Sequence, residues 1–149
     1  SEERFRSKIR QITRRNRGIS FSLLLGEVNR LVRGWLNYFC YARMQKKLKC
    51  LTSWLCRRLR CFRLKQCKQG KGITRFLVSC GIPKWRGLLL GCSHKGWFRK
   101  SGSPKANEAM SLAWFREVGL ILPIDYYRHA FRETAQYEST LGGVRVQQR

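Results

Sequence analysis

Carboxylates are scarce in this chain. Eight Asp and Glu stand against 32 Lys and Arg in 149 residues, a formal net charge of +24, and Asp125 is the sole aspartate. Two-metal nucleotidyl transfer needs clustered carboxylates to hold its ions, so no polymerase or nuclease centre can be assembled here. The sequence has no Gly-rich loop ending in Gly-Lys-Ser/Thr, no His-Glu-x-x-His and no Gly-x-Ser-x-Gly, and His94 and His129 stand alone. P-loop, zincin and serine-hydrolase chemistries therefore lack their signatures. Apolar runs such as Leu23-Leu24-Leu25 are only a few residues long, against the ~20 of a bilayer span. Seven cysteines form an odd set without Cys-x-x-Cys, which reads as reduced, cytosolic thiols. Cys92 and His94 lack zinc-ligand spacing. No apolar stretch follows Ser1 and the first Met is Met44, so no signal peptide is read and the chain reads as a piece of something longer.

The positive charge is regional. Twenty-six bases and three acids precede residue 101, whereas six bases and five acids follow it, and between Arg4 and Lys100 the only acid is Glu27. Solubility alone does not require such asymmetry; a polyanionic partner does. The apolar content of 43% is nonetheless that of a folding domain.

Phe5, Ile9 and Ile12 fall at helical spacing, and the segment stops at Asn16-Arg17-Gly18. Ser20 is placed to N-cap a second helix, stapled by Ile19, whose stripe is Leu24, Val28, Leu31, Trp35, Phe39 and Ala42. Gly34 beside Trp35 suggests the close approach of another backbone. A third helix, near 46–68, carries the stripe Leu48, Leu51, Leu55, Leu59 and Phe62, with Arg57, Arg58, Arg60, Arg63, Lys65 and Lys68 on the opposite arc. One side is expected to pack and the other to meet phosphates. The ten bases between Arg43 and Lys68, with no acid among them, are the strongest electrostatic signal in the chain.

Gln69 to Gly72 reads as a subdomain break. Ile73, Phe76, Leu77 and Cys80 share a helix face closed by Gly81 and Pro83, and a short helix or turn follows to Gly91. Residues 91–102 read as an exposed loop interleaving aromatics, bases and glycines. Trp97 there either stacks on a base or plugs a small core, with Lys95, Arg99 and Lys100 on phosphates. Another helix is expected from Pro104 through Arg116, with Met110, Ala113 and Trp114 inward, then a short one near 126–132 and a flexible tail over 135–149. Nothing reads as a strand, so the expected fold is all-α: a helical bundle over 1–70 and a small basic helical domain over 71–134.

The run Arg14-Arg15-Asn16-Arg17-Gly18, followed by Leu31-Val32-Arg33-Gly34-Trp35-Leu36-Asn37-Tyr38-Phe39, resembles the maturase-specific region of group II intron reverse transcriptases. The similarity continues through Trp54 to Arg60, Gly96 to Ser101, and Gly119-Leu120 with Tyr126-Tyr127, covering about residues 4–130. It implies a thumb, or X, domain followed by a DNA-binding region, with the catalytic aspartates and their Mg2+ in fingers and palm domains outside this chain and no cofactor within it. No Cys/His cluster resembles the family's metal-dependent endonuclease. Leu64 and Cys67 stand around Lys65 where many relatives have a Trp-Lys-x-Trp-Lys run. The implied partners are group II intron RNA and a template–primer duplex or target DNA, in a bacterial cytosol or organelle matrix beside the nucleoid, with no membrane. Arg14, Arg15, Arg17, Arg33, Asn37, Lys71 and Arg75 join the bases named above as candidate contacts. The competing reading is a free-standing architectural RNA- or DNA-binding protein without polymerase activity; a cationic membrane-surface module fits less well, because the bases accompany core-forming helices.

Overall fold

A stripe at steps of 3, 4, 4 and 3 has to find cover along its whole length, and Leu48, Leu51, Leu55, Leu59 and Phe62 are all buried. In the computed structural model, which describes residues 2–39 and 44–147, the helix carrying them is surrounded by others. The elements in chain order are α1 (Glu2–Ile12), α2 (Phe21–Phe39), α3 (Gln45–Gln66), α4 (Gly70–Ser79), α5 (Lys84–Gly91), α6 (Trp97–Ser101), α7 (Pro104–Ala109), α8 (Leu112–Glu117) and α9 (Pro123–Gln147). All are α-helices, so the described residues form the all-α fold expected. α6 and α9 pack on α3, α1 pairs with α2, and α4 pairs with α5. Their buried side chains join into one apolar cluster running from Phe5 to Tyr127.

Local chemistry explains several boundaries. Ser20 Oγ accepts the Leu23 N–H at 3.2 Å and so caps α2; Ser103 and Ser111 cap α7 and α8 in the same way, through Ala106 and Trp114. Gly81 and Gly119 take positive φ, 93° and 97°. At the first, Ile82 N–H reaches back to the Leu77 carbonyl at 3.0 Å, and at the second Leu120 N–H reaches Phe115 at 2.9 Å. Both are glycine-terminated helix ends that bury the next apolar side chain.

Five expectations change. The buried stripe of α2 is Leu24, Leu25, Val28, Val32 and Leu36, with Leu31 and Trp35 at its edge, because α1 covers only that flank and stacks Phe5 on Trp35 with centroids 4.9 Å apart. Ala42, placed on the same stripe, lies outside the described residues. The close backbone approach expected at Gly34 occurs instead where α4 crosses α5: a Cβ on Gly70 or Gly91 would fall 2.5 Å from the other's carbonyl oxygen, whereas Gly34 has nothing within 4 Å. Residues 91–102 contain α6, with Lys100 and Ser101 buried. The expected helix through Arg116 is broken between α7 and α8, where Ser111 starts a new one and Ala113 is exposed. The last helix does not stop near 132 but continues to Gln147.

The glycines make a paired test. Gly91→Ala should cost about 1–3 kcal/mol by forcing α4 and α5 apart, while Gly34→Ala should be neutral or stabilising by up to ~1 kcal/mol. Chemical denaturation of both variants checks this; equal losses would contradict the placement of the crossing.

Candidate nucleic-acid interface

Four arginines emerge from α3, and none forms an ion pair among the described residues. They find other electron-rich partners. Arg58 Nε donates to Thr13 Oγ1 at 2.8 Å and Nη2 to the Arg10 carbonyl at 3.4 Å, gripping the end of α1. Arg60 Nε donates to the Met110 carbonyl at 2.8 Å, at the end of α7, and its guanidinium lies 5.4 Å from the Phe115 ring centre. Arg63 lies 4.2 Å over Phe76, and Arg57 3.8 Å over Phe98. Cations at helix C-terminal carbonyls and aromatic faces are favourably placed. Burial pushes the pKa of both Arg58 and Arg60 down, and the charge of Arg10 adds to the effect at Arg58. The same enclosure pushes the Cys56 thiol up to about 11, against the opposing influence of Arg60 and Arg116.

The division of α3 into a packing side and an open binding side is therefore corrected. Thr52, Cys56, Cys61 and Leu64 are buried as well, and Arg57, Arg58, Arg60 and Arg63 are half-buried. A helical wheel shows which residues share an arc, but not how many neighbours close over it. Arg17 is also drawn inward. Its Nη1 and Nη2 meet the two Glu27 oxygens at 2.6 and 3.2 Å, and Nη1 also reaches the Ile12 carbonyl at 2.8 Å. The hydrogen bond to Arg17 holds Glu27 below the usual carboxylate range. In this geometry Arg17 closes the α1–α2 turn instead of facing a phosphate.

Two cavities flank α6. On one side lies a cavity of about 630 Å³ whose wall carries Arg14, Arg15, Arg58 and Lys65 together with Asn16, Trp97 and Phe98. On the other lies one of about 550 Å³ lined by Arg57, Lys95, Arg99, Lys100 and Lys105. No carboxylate lines either. Trp97 is half-buried and packed against the core, so its two alternative readings merge: one part plugs, while another part faces the first cavity. Lys100 sits 4.9 Å from the Trp97 ring centre. Arg33 and Asn37 are exposed on α2, and Asn37 accepts a hydrogen bond from Tyr126. Lys68, with φ 62°, Lys71 and Arg75 are exposed around the α3–α4 turn. These five line neither cavity. Leu64, by contrast, is fully buried and offers no stacking surface.

Asn16, Phe98 and Lys105 were not singled out from the sequence as contacts. Asn16 belongs to the stop of the first helix, and Phe98, which the sequence offers beside Trp97 as a plug for the small core, is 54% exposed instead; Lys105 returns to the cavity because Ser103 turns the chain into α7. Among the described residues no three of His, Cys, Asp or Glu converge where a metal ion could sit, and no helix is long and apolar enough to cross a membrane.

Comparison with protein families matches residues 2–81 to the group II intron, maturase-specific domain. That stretch is α1 through α4, more than half of the chain. The chain belongs to this family. No curated protein matches it. Membership ties the chain to group II intron splicing, with the intron RNA as partner. The maturase-specific match includes Arg14, Arg15, Arg57, Arg58 and Lys65; α6 and Lys105, which complete the two cavities, lie beyond it.

Two outcomes follow from this division of arginines. Arg60→Met should lose roughly 1–3 kcal/mol by leaving the Met110 carbonyl without its donor, whereas Arg14→Ala should change stability by less than ~0.5 kcal/mol; urea melts compare them. Glu27 has its folded pKa below its unfolded one, so its pairing with Arg17 contributes fully above the ordinary carboxylate range and is lost as pH falls through the lowered folded value. Glu27→Gln should therefore lower stability at pH 7 and flatten the acid limb of the stability profile, which melts across pH will show.

Proposed function

We propose that this chain is the nucleic-acid-gripping portion of a group II intron-encoded reverse transcriptase and maturase. It holds intron RNA for splicing, and template–primer or target DNA during retrotransposition, while fingers and palm domains outside the chain carry out Mg2+-dependent synthesis. The observation that carries this reading is the pair of cavities flanking α6, both rich in cations and free of carboxylates. Guanidinium and ammonium groups at such a wall neutralise successive phosphates, and Trp97 and Phe98 offer faces for an unpaired base. Recognition is by shape and backbone, with little readout of base edges. The compartment follows from the partner: a bacterial cytosol or organelle matrix, beside nucleic acid.

Binding to a structured group II intron RNA tests the reading. With some eight phosphates neutralised, affinity should fall about 10³-fold or more between 50 and 200 mM salt. Replacing Arg14, Arg15 and Lys65 together by Gln should weaken binding and reduce the salt slope while leaving the melting transition in place. An affinity indifferent to salt would refute the proposal. Equal affinity for intron RNA and duplex DNA would favour an architectural protein instead.

A further inference from the structure

The second cavity is lined by two buried or half-buried cations that meet no carboxylate among the described residues. Arg57 Nε is buried with no hydrogen-bond partner. Its Nη2 donates to the Phe98 carbonyl at 3.3 Å, the Phe98 ring lies against the guanidinium, and a Cβ on Gly102 would stand 2.9 Å from Nη2. The guanidinium is thus fixed by its surroundings while one N–H is left unsatisfied. Lys100 is only 8% exposed, and it too lacks a carboxylate. Its backbone is fixed at a corner, where Ser101 Oγ donates to the Phe98 carbonyl at 2.6 Å and Ser103 Oγ to the Lys100 carbonyl at 2.8 Å while capping α7, and its ammonium lies 4.9 Å from the Trp97 ring centre. Lys95, Arg99 and Lys105 line the same space.

Five like charges around one cavity repel each other, and a desolvated cation without an anion is costly. A fold that fixes one guanidinium among these cations and leaves one of its donors unpaired is preorganised for a multiply hydrogen-bonding anion. We propose that the cavity between α3, α5, α6 and α7 is a receptor for one phosphate group of a bound RNA strand, with Arg57 and Lys100 as its fixed cations and Lys95, Arg99 and Lys105 around them. The receptor chemistry stands on the cavity itself; only the source of the phosphate rests on the RNA-binding reading above.

The test uses the full chain. Inorganic phosphate at pH 7 should raise the melting temperature saturably, by on the order of 2–4 °C at about tenfold above its dissociation constant, beyond any effect of sodium chloride at matched ionic strength. Arg57→Gln and Lys100→Gln should abolish that shift, and Arg14→Gln should retain it. A phosphate effect no larger than that of chloride, or one that survives in both cavity variants, would overturn the proposal. Should those variants fail to fold, the wild-type Arg57 Nε–H resonance serves in their place: phosphate must move it, and an unmoved resonance overturns the site. A short RNA without terminal phosphates must move it as well. Movement by inorganic phosphate alone would overturn the assignment to an RNA strand, while loss of all RNA binding with the phosphate response intact would count against the proposed function and leave the receptor standing.

Discussion

With 32 cations and eight acids, the molecule has to accommodate most of its positive charge without carboxylates. Its solution is to point guanidiniums at backbone carbonyls and aromatic rings. Arg58 holds the end of α1, Arg60 the end of α7, and Arg63 lies over Phe76 on α4. Each contact satisfies an orphan helix-terminal carbonyl or covers a ring face, and each ties α3 to a different neighbour. The few acids are mostly used locally: Glu2 with Arg6, Glu3 with Arg10, Glu27 with Arg17, Glu108 with Arg86 and Asp125 with Arg116. Such exposed or half-exposed pairs contribute little each, so the carbonyl and ring contacts of α3 carry more of the architecture.

That arrangement sorts the basic residues into two populations. Arg60 and Arg63 reach from α3 to other elements, Arg57 and Arg58 do so while also lining a cavity, and the bases left around α6 meet no carboxylate among the described residues. α6 is only five residues long, yet a basic cavity lies on either side of it, one walled by Trp97 and Phe98 and the other by Leu89, Leu90 and Pro104 beside its five bases.

The helices from α1 to α4 and the core face of α3 were legible from the sequence because they depend on local periodicity, whereas the face of α2, the existence of α6 and the break between α7 and α8 were not. The α3 stripe, the Ser20 cap and the Gly81 and Gly119 stops all follow from rules that involve neighbours within a few positions. Three further features were not legible. The crossing of Gly70 with Gly91 is a contact between distant glycines, and a Gly-rich stretch reads equally well as a linker. The burial of Lys100 depends on two serine turns around α6, inside a stretch whose composition resembles a loop. The inward roles of Arg58 and Arg60 required knowing that α1 ends beside one and α7 beside the other. Charge composition identified the class of partner, but it could not separate a staple from a contact.

Arginine-selective modification of the folded chain by phenylglyoxal, read residue by residue with and without group II intron RNA, tests this division most directly. The account predicts that Arg14, Arg15 and Arg99 react readily in the free chain and are protected by RNA, while Arg17, Arg58 and Arg60 react slowly in both states. Rapid modification of Arg58 and Arg60 in the free folded chain, with RNA protection confined to them, would contradict it.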